Sequence, residues 1–113
     1  MKSLLLSFLV ALSPIVALAH SEMQQTTPAD GSVLTELPAE IALNFADKLR
    51  LTAVKAHHSD GETQAIDLGS YKSFADEFVL PMQPMGEGLY EVEWRGLGMD
   101  GHAMQGTFSF EVQ

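Results

Sequence analysis

Three residues of the sequence have side chains and spacing suited to holding one transition-metal ion. Asp100 and His102 are separated only by Gly101. Side chains two residues apart in an extended or loop conformation project to the same side, and the glycine between them leaves room for an ion. The third residue is His20, which becomes the first residue if the chain is cut after Ala19.

A histidine at a new N-terminus differs from any internal histidine. Its α-amine and its ring Nδ1 can close a chelate ring on one metal ion, an arrangement called a histidine brace. The amine has a pKa of about 7.7 to 8.0 and the imidazole of about 6.5, so a metal displaces weakly held protons near neutral pH. With a second imidazole and a carboxylate, this donor set has its highest affinity in the divalent series for copper. An Asp-Gly-His stretch is also typical of a plain turn, and spacing alone leaves both interpretations open.

Residues 1–19 have the pattern of a secretory signal peptide. Lys2 gives a positive start, an apolar stretch follows over residues 4–18, and Ala17 and Ala19 supply the small residues of a cleavage site. A membrane span needs about 20 apolar residues, more than this stretch provides. We therefore predict cleavage after Ala19, a mature domain over residues 20–113, and no direct membrane insertion.

Charge and composition exclude several partners and ligands. The formal net charge is −9, and it becomes one unit more negative when Lys2 is removed with the leader. Nucleic acid and anionic lipid are therefore not expected as partners. The chain has no cysteine, so a metal must be held by nitrogen, oxygen or thioether donors.

Alternation of apolar and polar residues predicts an all-β fold. The pattern is clear at residues 41–45, 90–95 and 107–112, and weaker at 22–26, 49–58, 63–68 and 73–80. Turn residues separate these segments at short intervals. We predict a single Greek-key β-sandwich of about seven strands, with Trp94 and Phe108 in its core. A short helix over residues 70–80 is an alternative, because Tyr71, Phe74 and Phe78 have helical spacing.

Two segments of the sequence resemble the CopC family of copper-resistance proteins. GLYEVEWRGLGMDGHAMQGTFSFEV, at residues 88–112, is similar to that family's signature of Tyr-x-Val-x-Trp-Arg, then Asp-x-His, then Gly-x-x-x-Phe. HSEMQQTTPADGSVLTELPAEIALNF, at residues 20–45, is similar to the family's start, with a mature N-terminal histidine and a Pro-Ala-Asp-Gly turn. The resemblance implies a cupredoxin-like or immunoglobulin-like sandwich in the periplasm that binds Cu(II) through His20, Asp100 and His102.

The resemblance also implies a role in copper homeostasis or resistance. Such a protein stores copper or delivers it to a membrane transporter, for which an inner-membrane permease of the CopD type is the expected partner. Some members hold Cu(I) in a methionine-rich loop. The corresponding segment here, LTAVKAHHSDGETQ at residues 51–64, has no methionine, which puts such a Cu(I) site in doubt.

Other candidate ligands have ordinary structural interpretations. His57 and His58 are neighbours on a predicted strand, so they point to opposite faces and are expected to be solvated residues near a hairpin turn. Met82 and Met85, together with Met23, Met99 and Met104, could gather around a soft ion, but they are more typical of core or loop positions. Met99 and Met104 flank the Asp100–His102 pair and are candidates for its apolar rim.

Three functions remain compatible with the residues. The first is copper binding without turnover, which we predict. The second is a small copper monooxygenase of the brace type, but the domain offers little room for a substrate, and Asp100 would help to fill the open coordination position that oxygen needs. The third is an interaction sandwich without a metal, in which Asp-Gly-His is only a turn.

Overall fold

The computed structural model describes residues 23–113, and within them every regular element is a β-strand. The strands are β1 (Met23–Thr27), β2 (Ser32–Leu34), β3 (Glu40–His58), β4 (Thr63–Ala65), β5 (Ala75–Pro81), β6 (Gly88–Gly98) and β7 (Ala103–Val112). No helix of this part of the chain is long and apolar enough to cross a membrane. The all-β prediction is confirmed.

The long strand β3 connects two layers of the sandwich. Its first part, residues 40–44, pairs antiparallel with β5, and residues 42–45 pair with β1. Its second part, residues 49–58, pairs antiparallel with β6, while residues 55–57 pair with β4. β7 extends the second layer antiparallel to β6, and β2 closes its edge parallel to β7.

Leu49 lies where the two layers meet. It pairs with Ala75 of β5 on one side and with Gly98 of β6 on the other. Residues 46–48, just before it, are exposed and interrupt the register of β3. The start of β5 and the end of β6 are therefore held near the interruption in β3.

The core follows the predicted alternation. Phe45, Phe78, Trp94 and Phe108 are at most 5% exposed. The rings of Phe45 and Trp94 meet edge to face with centroids 4.9 Å apart, which joins the two layers. The prediction that Trp94 and Phe108 belong to the core is confirmed.

The structure differs from the predicted strands in two places, and it favours the predicted strand at residues 73–80 over the alternative helix. The segments predicted at 41–45 and 49–58 are parts of one strand, and β2 was not predicted at all. The alternative helix over residues 70–80 is wrong, because β5 begins at Ala75. Tyr71 folds back onto Phe78 without a helix: the ring centroids are 5.1 Å apart, and the Tyr71 hydroxyl accepts a hydrogen bond from the Val79 N–H at 3.1 Å.

Candidate metal centre

The turn between β6 and β7 places Asp100 and His102 side by side. The Gly101 N–H donates to the Gly98 carbonyl at 3.0 Å, and the Gly98 N–H donates to the His102 carbonyl at 2.9 Å. Gly101 has a φ of 83°, a left-handed conformation that favours glycine. These are the features of a hairpin with a type I turn followed by a glycine bulge. The glycine is thus required for the backbone that brings the two side chains together.

Asp100 contacts His102 through both of its carboxylate oxygens. Oδ2 lies 2.7 Å from the ring Nδ1, and Oδ1 accepts the backbone N–H of His102 at 3.0 Å. That backbone hydrogen bond, followed by the one from the ring, lowers the pKa of Asp100. The carboxylate is therefore ionised at neutral pH.

The contact with Asp100 also sets the tautomer of His102. The Nδ1–H donates a hydrogen bond to the ionised carboxylate, and in the neutral ring this tautomer leaves the lone pair of Nε2 for a metal. Both side chains are well exposed, by 83% for His102 and 65% for Asp100. In this geometry His102 offers Nε2 directly, while Asp100 supports its ring and would have to turn toward the ion to become a ligand itself.

The pair opens into a cleft of about 860 Å³ between the two layers. Its lining residues are Ala46, Asp47, Lys48, Asp76, Gly98, Met99, Asp100, His102, Ala103 and Met104. A Cβ atom at Gly98 would lie 2.9 Å from Asp100 Oδ1 and 3.2 Å from Met104 Sδ. The missing side chain at Gly98 therefore keeps this part of the cleft open.

The described residues supply only part of a metal coordination sphere. Within residues 23–113, no group of three or more His, Cys, Asp or Glu side chains is arranged to hold a metal ion. Asp100 and His102 together offer one imidazole and one carboxylate. His20 and the predicted cleavage site after Ala19 lie outside the described residues.

The other candidate ligands are engaged elsewhere. His57 Nε2 lies 3.3 Å from Glu93 Oε2, whereas His58 faces the opposite side of β3. The prediction that the two histidines cannot chelate together is confirmed, but the prediction that both are solvated is wrong for His58, which is 8% exposed. Met82 is buried and Met85 packs against the same core, which confirms their structural interpretation.

Sequence reasoning missed the opposite wall of the cleft. Residues 46–48 and Asp76 come from β3 and β5, distant in sequence from the β6–β7 turn. The signal available in the sequence was the run Ala46-Asp47-Lys48, which breaks the alternation that precedes it.

The described residues thus form a small two-layer all-β sandwich that carries a carboxylate–imidazole pair in the hairpin turn at one end. Residues 23–113 match the CopC domain family, and the chain belongs to that family. It is 31% identical to copper resistance protein C of Pseudomonas syringae pv. tomato, an alignment covering 87% of this chain and 84% of the relative. It is 28% identical to copper resistance protein C of Escherichia coli, over 99% of this chain and 96% of the relative.

Solved structures and a longer relative complete the comparison. The crystal structure of CopC from Methylosinus trichosporium OB3b shares the fold with a TM-score of 0.70 at 22% identity, covering 83% of this chain and 94% of that one. PcoC from Escherichia coli, described as a methionine-rich copper resistance protein, matches with a TM-score of 0.64 at 25% identity, over 84% of this chain and all of that chain. The copper transport protein CutJ of Bacillus subtilis is 26% identical over 96% of this chain, which corresponds to 21% of CutJ.

Proposed function

We propose that this protein is a periplasmic Cu(II) carrier of copper homeostasis. Copper is bound by the α-amine and Nδ1 of His20, by the imidazole of His102 and by the carboxylate of Asp100. Membership of the CopC family and the names of the relatives, copper resistance protein C, support copper as the cargo. The signal-peptide pattern of residues 1–19 supports export and the exposure of His20 as the first residue.

The direction of β1 is the observation that carries the brace. Met23 pairs with Phe45 in the antiparallel β1–β3 ladder. A chain entering β1 therefore comes from the side on which β3 continues beyond Phe45, toward residues 46–48, which line the cleft. His20 precedes Met23 by three residues, and three extended residues span about 10 Å. The strand direction and this short reach support a free His20 amine as the donor that joins the cleft.

Charge and donor number support the same assignment. Cu(II) with one neutral amine, two neutral imidazoles and one carboxylate leaves a net charge of +1. The domain around it is strongly acidic, and Asp47 and Asp76 lie on the cleft wall near the pair. The two donors of the described residues become four when His20 contributes both of its nitrogens, a number suited to tetragonal Cu(II).

Storage and delivery, rather than turnover, is the role that fits best. The relatives carry names of copper resistance and copper transport. In CutJ the similar region is a fifth of a longer copper transport protein. This supports an inner-membrane copper permease of the CopD type as the partner that takes copper from this domain.

Cu(II) titration against a competing chelator tests the brace. The protein beginning at His20 is compared with a variant that carries one additional glycine before His20. The extension moves the α-amine away from the imidazole, so we expect affinity to fall by more than about 100-fold, beyond the cost of losing a supporting contact alone. His57→Ala is the control and should leave the affinity unchanged. Equal affinities of the extended and unextended proteins would contradict the brace.

A further inference from the structure

We propose that the same cleft contains a second, Cu(I)-selective copper site formed by the thioethers of Met99 and Met104 together with the imidazole of His102. The proposal rests on the proposed function only in making copper the cargo of this cleft. It assigns metal-binding roles to two residues that were expected to line the rim.

Met104 places its sulfur beside the Asp100–His102 pair. In the β6–β7 ladder Met104 lies opposite Gly96. Its Sδ lies 3.2 Å from the point that a Cβ atom would occupy at Gly98. Because Asp100 Oδ1 lies 2.9 Å from that same position, the sulfur and the carboxylate oxygen are at most 6.1 Å apart, the sum of the two distances. Gly96 and Gly98, two successive inward positions of β6, carry no side chain, and the Met104 thioether lies beside the second of them.

Met99 is the second sulfur of the cleft. It occupies the β6–β7 turn immediately before Asp100, lines the cleft, and is 71% exposed. A methionine side chain has three rotatable bonds and a polarisable sulfur, so an exposed one can move onto an ion at little cost. The turn therefore carries a mobile thioether at the mouth of the cleft, and β7 carries a more fixed one near its floor.

The donors around the cleft fall into two sets that prefer different oxidation states of copper. Thioether sulfur and imidazole suit the soft Cu(I) ion, whereas amine nitrogen and carboxylate oxygen suit Cu(II). The chain has no cysteine, so methionine is its only sulfur donor. Because His102 belongs to both donor sets, one cleft holds either Cu(II) toward His20 and Asp100 or Cu(I) toward Met99 and Met104.

A rival grouping of methionines at the other end of the sandwich lacks a free imidazole. Met82 and Met85 are close to the core, and Met85 N–H donates to the Tyr90 hydroxyl, on whose ring His58 packs. Both nitrogens of His58 are occupied, Nε2 by the Glu87 carbonyl at 2.8 Å and Nδ1 by Asp60 at 2.8 Å. Among the described residues, the cleft is where two methionines line the same space as an imidazole whose Nε2 faces no hydrogen-bonding partner.

Anaerobic Cu(I) titration against bicinchoninate tests the proposal. The protein beginning at His20 is compared with the double variant M99L/M104L, since leucine preserves apolar volume without a sulfur. We expect the double variant to bind Cu(I) at least about tenfold more weakly, as for other losses of metal support, and to lose much more affinity for Cu(I) than for Cu(II). Met85→Leu is the matched control and should bind both ions like the wild type.

Two further measurements separate this site from the brace. Cu(I)-loaded wild type should show sulfur scatterers in copper X-ray absorption, and the double variant should not. The extra glycine before His20 should weaken Cu(II) binding but leave Cu(I) binding intact. Unchanged Cu(I) affinity in the double variant, or no sulfur around Cu(I) in the wild type, overturns the proposal and leaves the Cu(II) carrier standing. Unchanged Cu(II) binding by the extended protein contradicts the brace alone.

Discussion

At the scale of single residues, His58 is the most constrained titratable side chain outside the cleft. Its Nε2 faces the Glu87 carbonyl and its Nδ1 faces Asp60 Oδ1, each at 2.8 Å. The Asp60 N–H also approaches Nδ1, at 3.4 Å, but the carboxylate contact is shorter and charge-assisted. Both nitrogens therefore face acceptors, and only the protonated ring can donate to both at once.

The surroundings of His58 favour its charged form. The hydrogen bond that His58 donates to the Asp60 carboxylate is the largest cause that raises the pKa of His58 above its ordinary value of 6.5. Burial lowers this pKa, whereas the hydrogen bond to the Glu87 carbonyl and the charge of Glu62 raise it further. The remaining neighbour is the ring of Tyr90, 4.7 Å away between centroids. The pKa of Asp60 is lowered, mainly by the Glu62 N–H and then by His58.

We expect alkaline pH to weaken the fold through His58. A group whose pKa is raised by folding contributes fully below its unfolded pKa, about 6.5, and loses that contribution as pH rises through the folded value. Urea unfolding at about pH 6 and about pH 9 should therefore show a larger loss of unfolding free energy for the wild type than for His58→Gln. The two proteins share all other titratable groups, so an identical pH dependence of both would contradict the assigned imidazolium.

At the scale of elements, the β6–β7 turn is the part of the site that the sequence could predict. The stretch Asp100-Gly101-His102 is local, and its spacing is enough to put both side chains on one side of a turn. The alternating strands around it were also predictable, because each buries one face. The continuity of β3 across residues 46–48 was not predictable, because these exposed residues have the pattern of a loop and belong to a strand only through their place between the two layers. The cleft wall from β3 and β5 depends on pairing between distant segments, which periodicity does not report.

Gly101→Ala tests how far the metal site depends on the conformation of this turn. An alanine at a φ of 83° is strained although no atom lies within 4 Å of its Cβ, and such strain costs about 1 kcal/mol of unfolding free energy or more. We expect Cu(II) affinity to fall as well, because the turn sets the Asp100–His102 contact. Urea unfolding and Cu(II) titration measure the two effects.

Gly61→Ala is the matched control for the turn. Gly61, in the β3–β4 connection, has a φ of 97° and equally open surroundings. The Gly61→Ala substitution should lower the unfolding free energy by a similar amount and leave Cu(II) affinity unchanged. Equal loss of Cu(II) affinity in both variants would mean that the turn geometry has no specific part in binding.

At the scale of the whole molecule, the fold places two pairs of acidic residues at opposite ends of the sandwich. One end of the sandwich carries the cleft, with Asp47 and Asp76 facing the Asp100–His102 pair. The opposite end carries Glu36, just beyond β2, and Glu111, which is paired with Val33 near the end of β7. Since β7 has ten residues, the two ends are about 30 Å apart. Equal charges at the two ends should therefore act differently on an arriving cation.

We expect the acidic cleft wall to speed the capture of Cu(II). Replacing Asp47 and Asp76 with asparagine removes two charges near the binding site, and the association rate should fall by about threefold at low salt, because clefts lined by one sign of charge concentrate the opposite ion. Stopped-flow quenching of the single tryptophan, Trp94, by Cu(II) provides the measurement. The double variant E36Q/E111Q removes the same charge from the far end and should associate like the wild type. At about 1 M salt, where the Debye length is about 3 Å, the difference between the two variants should disappear.

The outcomes that would contradict this prediction are distinct. A loss of association rate that is the same in both variants would show that only net charge matters. A loss in the cleft variant that survives high salt would identify Asp47 or Asp76 as a ligand.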